Sequence, residues 1–185
     1  MSRKDLDWTK IVIVDVEATC DEPTPPDFVQ EIIEIGVAVV DLPSLTIEKS
    51  GSILIEPYGP ISKFCTELTT ITAEDLQGKP SFREGCGDLV AGFGSKRHPW
   101  MSWGDFDRKL FEKQCQREKV SYPFTDSHTN MRVLFAWWKG LSRRVGMDRA
   151  LEMLGVPLEG THHRGVDDAR NIAKIFIEFM KASRR

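Results

Sequence analysis

Apolar and polar residues follow two rhythms along this chain, and the change between them divides it. Ile11-Val12-Ile13-Val14 is a short, unbroken, β-branched run, the pattern of a strand buried on both faces in the middle of a sheet. Pro23, Pro25 and Pro26 then enforce a loop. Ile33, Ile35, Val37 and Val39 alternate with Glu34, Gly36 and Ala38, a period-two strand ending at Asp41-Leu42-Pro43. A third strand is predicted from Ile47 to Ile55, closed by Pro57 and the Tyr58-Gly59-Pro60 turn. Short connections between the three suggest an antiparallel meander.

Beyond this point the helical period takes over. Thr72-Ala73-Glu74-Asp75 has the form of a capping box and opens a short helix stopping near Gly78. Phe82, Cys86, Leu89, Val90 and Phe93 share one helical face that ends at Gly94. Trp100–Trp103 reads as a fourth strand, Asp107 to Lys119 as a helix, and Met131–Trp138 as another. Ala150–Leu154 is a helix end stopped by Gly155 and Pro157. The final helix is the clearest: Val166, Ala169, Ile172, Ala173, Phe176, Ile177 and Met180 form an i, i+3, i+4 stripe. Strands first and helices mixed with strands afterwards make an α/β domain, with residues 1–185 read as one unit.

Composition narrows the class. With 41% hydrophobic and 29% charged residues, 185 positions suffice for a real core without metal or disulfide staples. The longest apolar run, Val133–Trp138, is six residues, far below the roughly 20 of a membrane span, and Met1–Lys10 lacks the apolar core of a secretion leader. Cys20, Cys65, Cys86 and Cys115 form no C-x-x-C pair and read as reduced thiols, so a cytoplasmic protein is expected. The net charge of −3 argues against a nucleic-acid coat held by bulk positive charge. Its distribution is uneven. Seven acids and no Lys or Arg lie between Asp15 and Glu34, whereas Arg132 to Arg149 holds five basic residues against Asp148. That suits a site that holds cations and receives a polyanion, or simply two solvated faces.

Candidate chemistry falls in three places. Asp15 and Glu17, two apart after a buried strand, point to one face, and their mutual repulsion asks for a hard cation; two solvated acids at a strand end also fit. In Trp103-Gly104-Asp105-Phe106-Asp107, at a strand-to-helix junction, Asp107 is a metal ligand or a helix N-cap, and Asp105 competes with it. In His162-His163-Arg164-Gly165-Val166-Asp167-Asp168, His163 just before the last helix and Asp168 in its first turn face one site, although such acids also occur as ordinary first-turn residues.

The joint order, D-x-E, then aromatic-Asp, then H-x4-D, resembles the DEDDh 3′–5′ exonucleases, which are DnaQ-like with an RNase H-like fold. Val14–Asp21, Gln30–Gly36, Phe64–Thr69, Gln114-Cys115 and Gly165–Ala173 carry the likeness further, towards the Eri-1-like exoribonuclease branch. The resemblance implies a mixed central β-sheet flanked by α-helices, and two Mg²⁺ or Mn²⁺ ions held by Asp15, Glu17, Asp107 and Asp168. It implies His163 as general base, with Asp105 and His162 as the off-register alternatives. The implied partner is a single-stranded nucleic acid with a free 3′ end, RNA ahead of DNA. Its terminal sugar is expected near Ala18 and Thr19 and its bases near Phe64 and Trp103, unless those rings serve the core. Arg143, Arg144 and Arg149 are candidate phosphate contacts.

Overall fold

The computed structural model describes residues 6–184; Met1–Asp5, part of the stretch read above as lacking a leader, lie outside them. Five strands form one mixed sheet in the order β3-β2-β1-β4-β5. The expected meander is present: β1 (Lys10–Ala18), β2 (Ile32–Asp41) and β3 (Thr46–Leu54) pair antiparallel. β4 (Trp100–Ser102) and β5 (His128–Asn130) add parallel strands on the other side of β1, which is therefore central. β5 was not expected from the pattern, because His-Thr-Asn carries no apolar signal; it forms beside β4.

Helices cover both faces. On one side, α3 (Phe82–Phe93) and α4 (Phe106–Glu118) bury Phe82, Cys86, Leu89, Leu110 and Phe111 against Val12, Val14 and Val16. On the other, α5 (Met131–Trp138), α6 (Met147–Leu154) and α7 (Gly165–Ser183) pack Met131, Phe135, Leu151, Ile172 and Phe176 against Ile11 and Ile13. Each such side chain taken from water contributes roughly 1.5–3 kcal/mol, so the central strand is clamped from both faces. Two short helices, α1 (Lys63–Thr69) and α2 (Ala73–Leu76), close one end of the sheet around Ile33 and Ile71. The capping box at Thr72 is formed with Asp75, and Ser81 with Glu84 forms a second one that opens α3. All four cysteines are free thiols, and no helix among the described residues is long and apolar enough to cross a membrane.

Candidate active site

β1 delivers the first two carboxylates. Val12, Val14, Val16 and Ala18 enter the core on the α3–α4 side, while Ile11 and Ile13 face α7. Asp15 and Glu17 continue the Ile11–Ile13 row at the C-terminal end of the strand. The strand thus runs four residues further than the apolar run alone suggests, and a register shift at Glu17/Ala18 ends its regular pairing with β2.

Facing them is the first turn of α7. Carboxylate oxygens of Asp15, Glu17 and Asp168 all lie within 4.8 Å of one another. Asp168 Oδ2 accepts the backbone N–H of His163 at 3.0 Å and lies 3.0 Å from His162 Nδ1. His162, His163 and Asp168 form a second group of the same compactness, the two imidazoles stacked 4.1 Å apart. The structure therefore brings both histidines to Asp168. The His163 backbone lies in the left-handed region (φ 65°), a costly conformation for a non-glycine residue, and its N–H to Asp168 bond holds it there.

What seats α7 on the sheet is a set of residues that the sequence pattern does not single out. Glu34, opposite Glu17 in the β1–β2 register, is fully buried. It accepts from Ser52 Oγ at 2.5 Å, from the Gly165 N–H at 3.0 Å and from Arg164 Nε at 3.2 Å, so it holds the first residue of the helix. Next to it, Gly36 meets Gly165 backbone to backbone: a Cβ on Gly36 would stand 1.8 Å from the Gly165 carbonyl carbon. The available signal is a lone acid in a run buried on both faces, since a charge there demands partners.

Asp107 arrives from the opposite layer. It is the second residue of α4 and not its cap; Asp105 occupies the N-cap position without making a side-chain cap bond. The Asp105 carboxylate instead accepts from Asn130 Nδ2 at 2.8 Å and pairs with Arg108 at 3.6 Å, turned to other work. Asp107 Oδ1 accepts the Val16 N–H at 3.1 Å. Val12 donates to the Pro99 carbonyl, but the β1–β4 ladder stops at Ile13 and Met101, so the Val16 amide further along needs another acceptor. Asp107 lies outside the 4.8 Å group, yet after burial its charge raises the Asp15 pKa more than any other neighbour does.

Burial and mutual repulsion hold these acids away from ordinary behaviour. Asp15 is raised well above the usual carboxylate range by burial and by Asp107, Glu17 and Asp168. Burial, with Asp168 and Glu34, pushes Glu17 up to about 8. Burial pushes Asp107 up to about 6 and also raises Asp168. Burial and the neighbouring His162 lower His163, which keeps its imidazole neutral near pH 7. Acids crowded against their own repulsion, all with hard oxygen donors and no sulfur among them, fit a divalent cation of the magnesium or manganese type.

Of the expected substrate contacts, Ala18 and Thr19 are buried at the end of β1. Thr19 ties that edge to Glu31, donating its N–H to the Glu31 carbonyl at 2.8 Å and accepting the Glu31 N–H at Oγ1 at 2.9 Å. Phe64 is partly exposed on α1, beside Cys65, whose thiol donates to the Ala18 carbonyl at 3.6 Å. Trp103 is half-buried on the α5–α7 core and packs against Phe135 at 6.1 Å; its indole N–H has no partner. The ring next to Asp107 that is half exposed is Phe106, at 51%, part of the aromatic-Asp motif but not among the rings expected to meet the bases. Arg149 is paired with Glu152, and Arg143 and Arg144 are exposed in the α5–α6 loop, in ion pairs with none of the four carboxylates.

Comparison with known proteins shows the family and the fold. The family model described as Exonuclease (RNase T) matches residues 12–176. The 3′-5′ exoribonuclease 1 of Homo sapiens is 31% identical over 182 residues, 92% of this chain and 52% of that protein. The ERI1 exoribonuclease 3 of Bos taurus is 28% identical over 177 residues, 89% of this chain and 51% of that protein. This chain thus spans about half the length of the curated relatives it matches. Among solved structures, the nuclease domain of 3′hExo, a DEDDh family member bound to rAMP, superposes with a TM-score of 0.87 at 30% identity. That match covers 96% of this chain and 94% of the other, and it makes the sheet and its helices an RNase H-like fold. With the family model spanning the sheet from β1 to α7 and a DEDDh nuclease domain matching nearly end to end, the chain belongs to the DEDDh branch of the Exonuclease family.

Proposed function

We propose that this chain is a 3′–5′ exoribonuclease that removes nucleotides from single-stranded RNA with two Mg²⁺ or Mn²⁺ ions. The observation that carries the reading is the meeting of Asp15, Glu17 and Asp168 within 4.8 Å. These three and Asp107, joined to β1 through the Val16 amide, would hold the ions. When bound, the ions offset the negative charge that builds on the scissile phosphate and on the departing oxygen.

The chain's own residues do the rest. A neutral imidazole nitrogen of His163 takes the proton of the attacking water, the role for which its lowered pKa suits it. Glu34, by seating Gly165, fixes where His163 and Asp168 stand relative to β1. The terminal sugar lies along Glu17-Ala18-Thr19, an edge kept in place by the Thr19–Glu31 bonds. Phe64 and Phe106 are the exposed rings for terminal bases, and Trp103 serves the core. RNA is favoured because the human relative is named an exoribonuclease and the 3′hExo domain was solved with rAMP. Free thiols suit a cytoplasmic setting.

The test pairs wild type with Asp15→Ala on 5′-labelled RNA and matched DNA, in Mg²⁺, Mn²⁺ or EDTA. The expected result is a ladder shortening from the 3′ end, faster on RNA, abolished by EDTA and by the substitution. Intact RNA in every lane from folded protein would overturn the proposal.

A further inference from the structure

Outside the carboxylate cluster, a groove runs along α4 and takes in Phe106, the residue before Asp107. One wall is the β1–β2 loop, which contributes Phe28 and the exposed Val29. The other is a row of cations, Lys109, Lys113 and Arg117, spaced i, i+4, i+8 and therefore on one face of the helix. All three are exposed. Among the described residues, Lys109 and Lys113 form no ion pair. The acids beside them, Asp105 and Glu112, are engaged by Arg108. Arg117 is shared with Glu31, Glu118 and the Gln30 carbonyl.

In a chain whose net charge is −3, a row of three cations facing exposed apolar side chains is a local exception. Cations to track a backbone, with an aromatic platform at one end, are the parts of a groove for single-stranded nucleic acid. A rise of 1.5 Å per residue separates successive cations by about 6 Å along the axis, comparable to the repeat of phosphates in an extended strand. We propose that this groove binds the phosphates of nucleotides upstream of the 3′ end, guiding a longer strand towards the carboxylates. The inference rests on the exonuclease reading for its choice of ligand.

Binding, not hydrolysis, tests it. In EDTA, the anisotropy of a 5′-fluorescein uridylate dodecamer and of the labelled dinucleotide is followed across a salt titration. For Lys109→Ala/Lys113→Ala, the slope of log K against log salt for the dodecamer should become shallower by about 1.4, the loss of two single-strand phosphate contacts. Dodecamer affinity should fall about tenfold or more at low salt. Dinucleotide binding should be unchanged, and Lys109→Arg/Lys113→Arg should restore the slope. An unchanged slope, equal losses on both probes, no dodecamer binding by wild type, or equal competition by polyglutamate would overturn the proposal. If wild type degrades the dodecamer with metal while the slope is unchanged, the groove fails and the exonuclease reading stands. A changed slope with no cleavage in any metal gives the reverse.

Discussion

Replacing Gly36 with alanine adds one methyl group where the fold has left no room. Its Cβ would stand 1.8 Å from the Gly165 carbonyl carbon, 2.0 Å from its oxygen and 2.2 Å from the Val166 nitrogen. Ordinary contact begins at 3.4 Å, so the closest approach is short by 1.6 Å, and every atom met is backbone that no rotamer change can move. Either β2 or the start of α7 must shift. Overpacking of this kind costs about 1–3 kcal/mol, and the Gly165 N–H to Glu34 bond, a charge-assisted one, would be stretched at about 1.5–3 kcal/mol more. The expected destabilisation is therefore about 2.5–6 kcal/mol in urea unfolding. Because α7 carries Asp168 and adjoins His163, a displacement on the order of 1 Å should also lower exonuclease turnover about 100-fold even where the protein is folded. Gly87→Ala is the control: Gly87 is an exposed residue within α3 with nothing within 4 Å of the new Cβ, so it should stabilise by about 0.5–1 kcal/mol. A Gly36→Ala protein with wild-type unfolding and wild-type turnover would refute the reasoning that strand and helix are in backbone contact.

Other outcomes follow from the same site. Glu34→Ala leaves the Gly165 N–H and Arg164 without their acceptor and should cost about 3 kcal/mol in urea unfolding, with Glu34→Gln milder; equal midpoints for both variants and wild type would remove Glu34 from its seating role. Glu17 has an ordinary value of 4.5 and is pushed up to about 8 in the fold, so without metal its protonated form favours folding below the ordinary value and that contribution is lost as pH rises through 8. In EDTA, Tm should accordingly fall across that window, and the gain on adding Mn²⁺ should widen; a Tm independent of pH would contradict the crowding of the acids. His163→Ala should lower kcat about 10²–10⁴-fold while the calorimetric Mn²⁺ affinity stays near wild type, whereas parallel loss of both would make His163 a ligand and not a base.

The local pattern was enough for the central strand, the meander, the amphipathic α7 and the placing of Asp15 and Glu17 on one face. The central strand shows as an unbroken β-branched run and the others as a period of two or of about 3.6 residues, and side-chain direction follows from backbone geometry alone. The H-x4-D spacing likewise locates His163 and Asp168 around a helix start, within a turn and a half of chain. Short elements escape such reading. α1 has two buried residues in seven and β5 is three half-buried positions, so neither carries enough periodic signal to be seen.

The contacts that complete the site span long stretches of chain. Asp107 is preferred over Asp105 at β1 because its oxygen reaches an amide 91 residues away, where β4 no longer supplies an acceptor, while Asp105 is taken by Asn130 and Arg108. Glu34 finds the start of α7 across 131 residues, and Gly36 and Gly165 touch only because the helix crosses that strand at that point. Trp103 turns to the core and Phe106 to solvent for a reason of packing between layers, which no count of neighbours along the chain contains. Periodicity decides which way a residue points from its own element; what it meets there is set by how the layers pack.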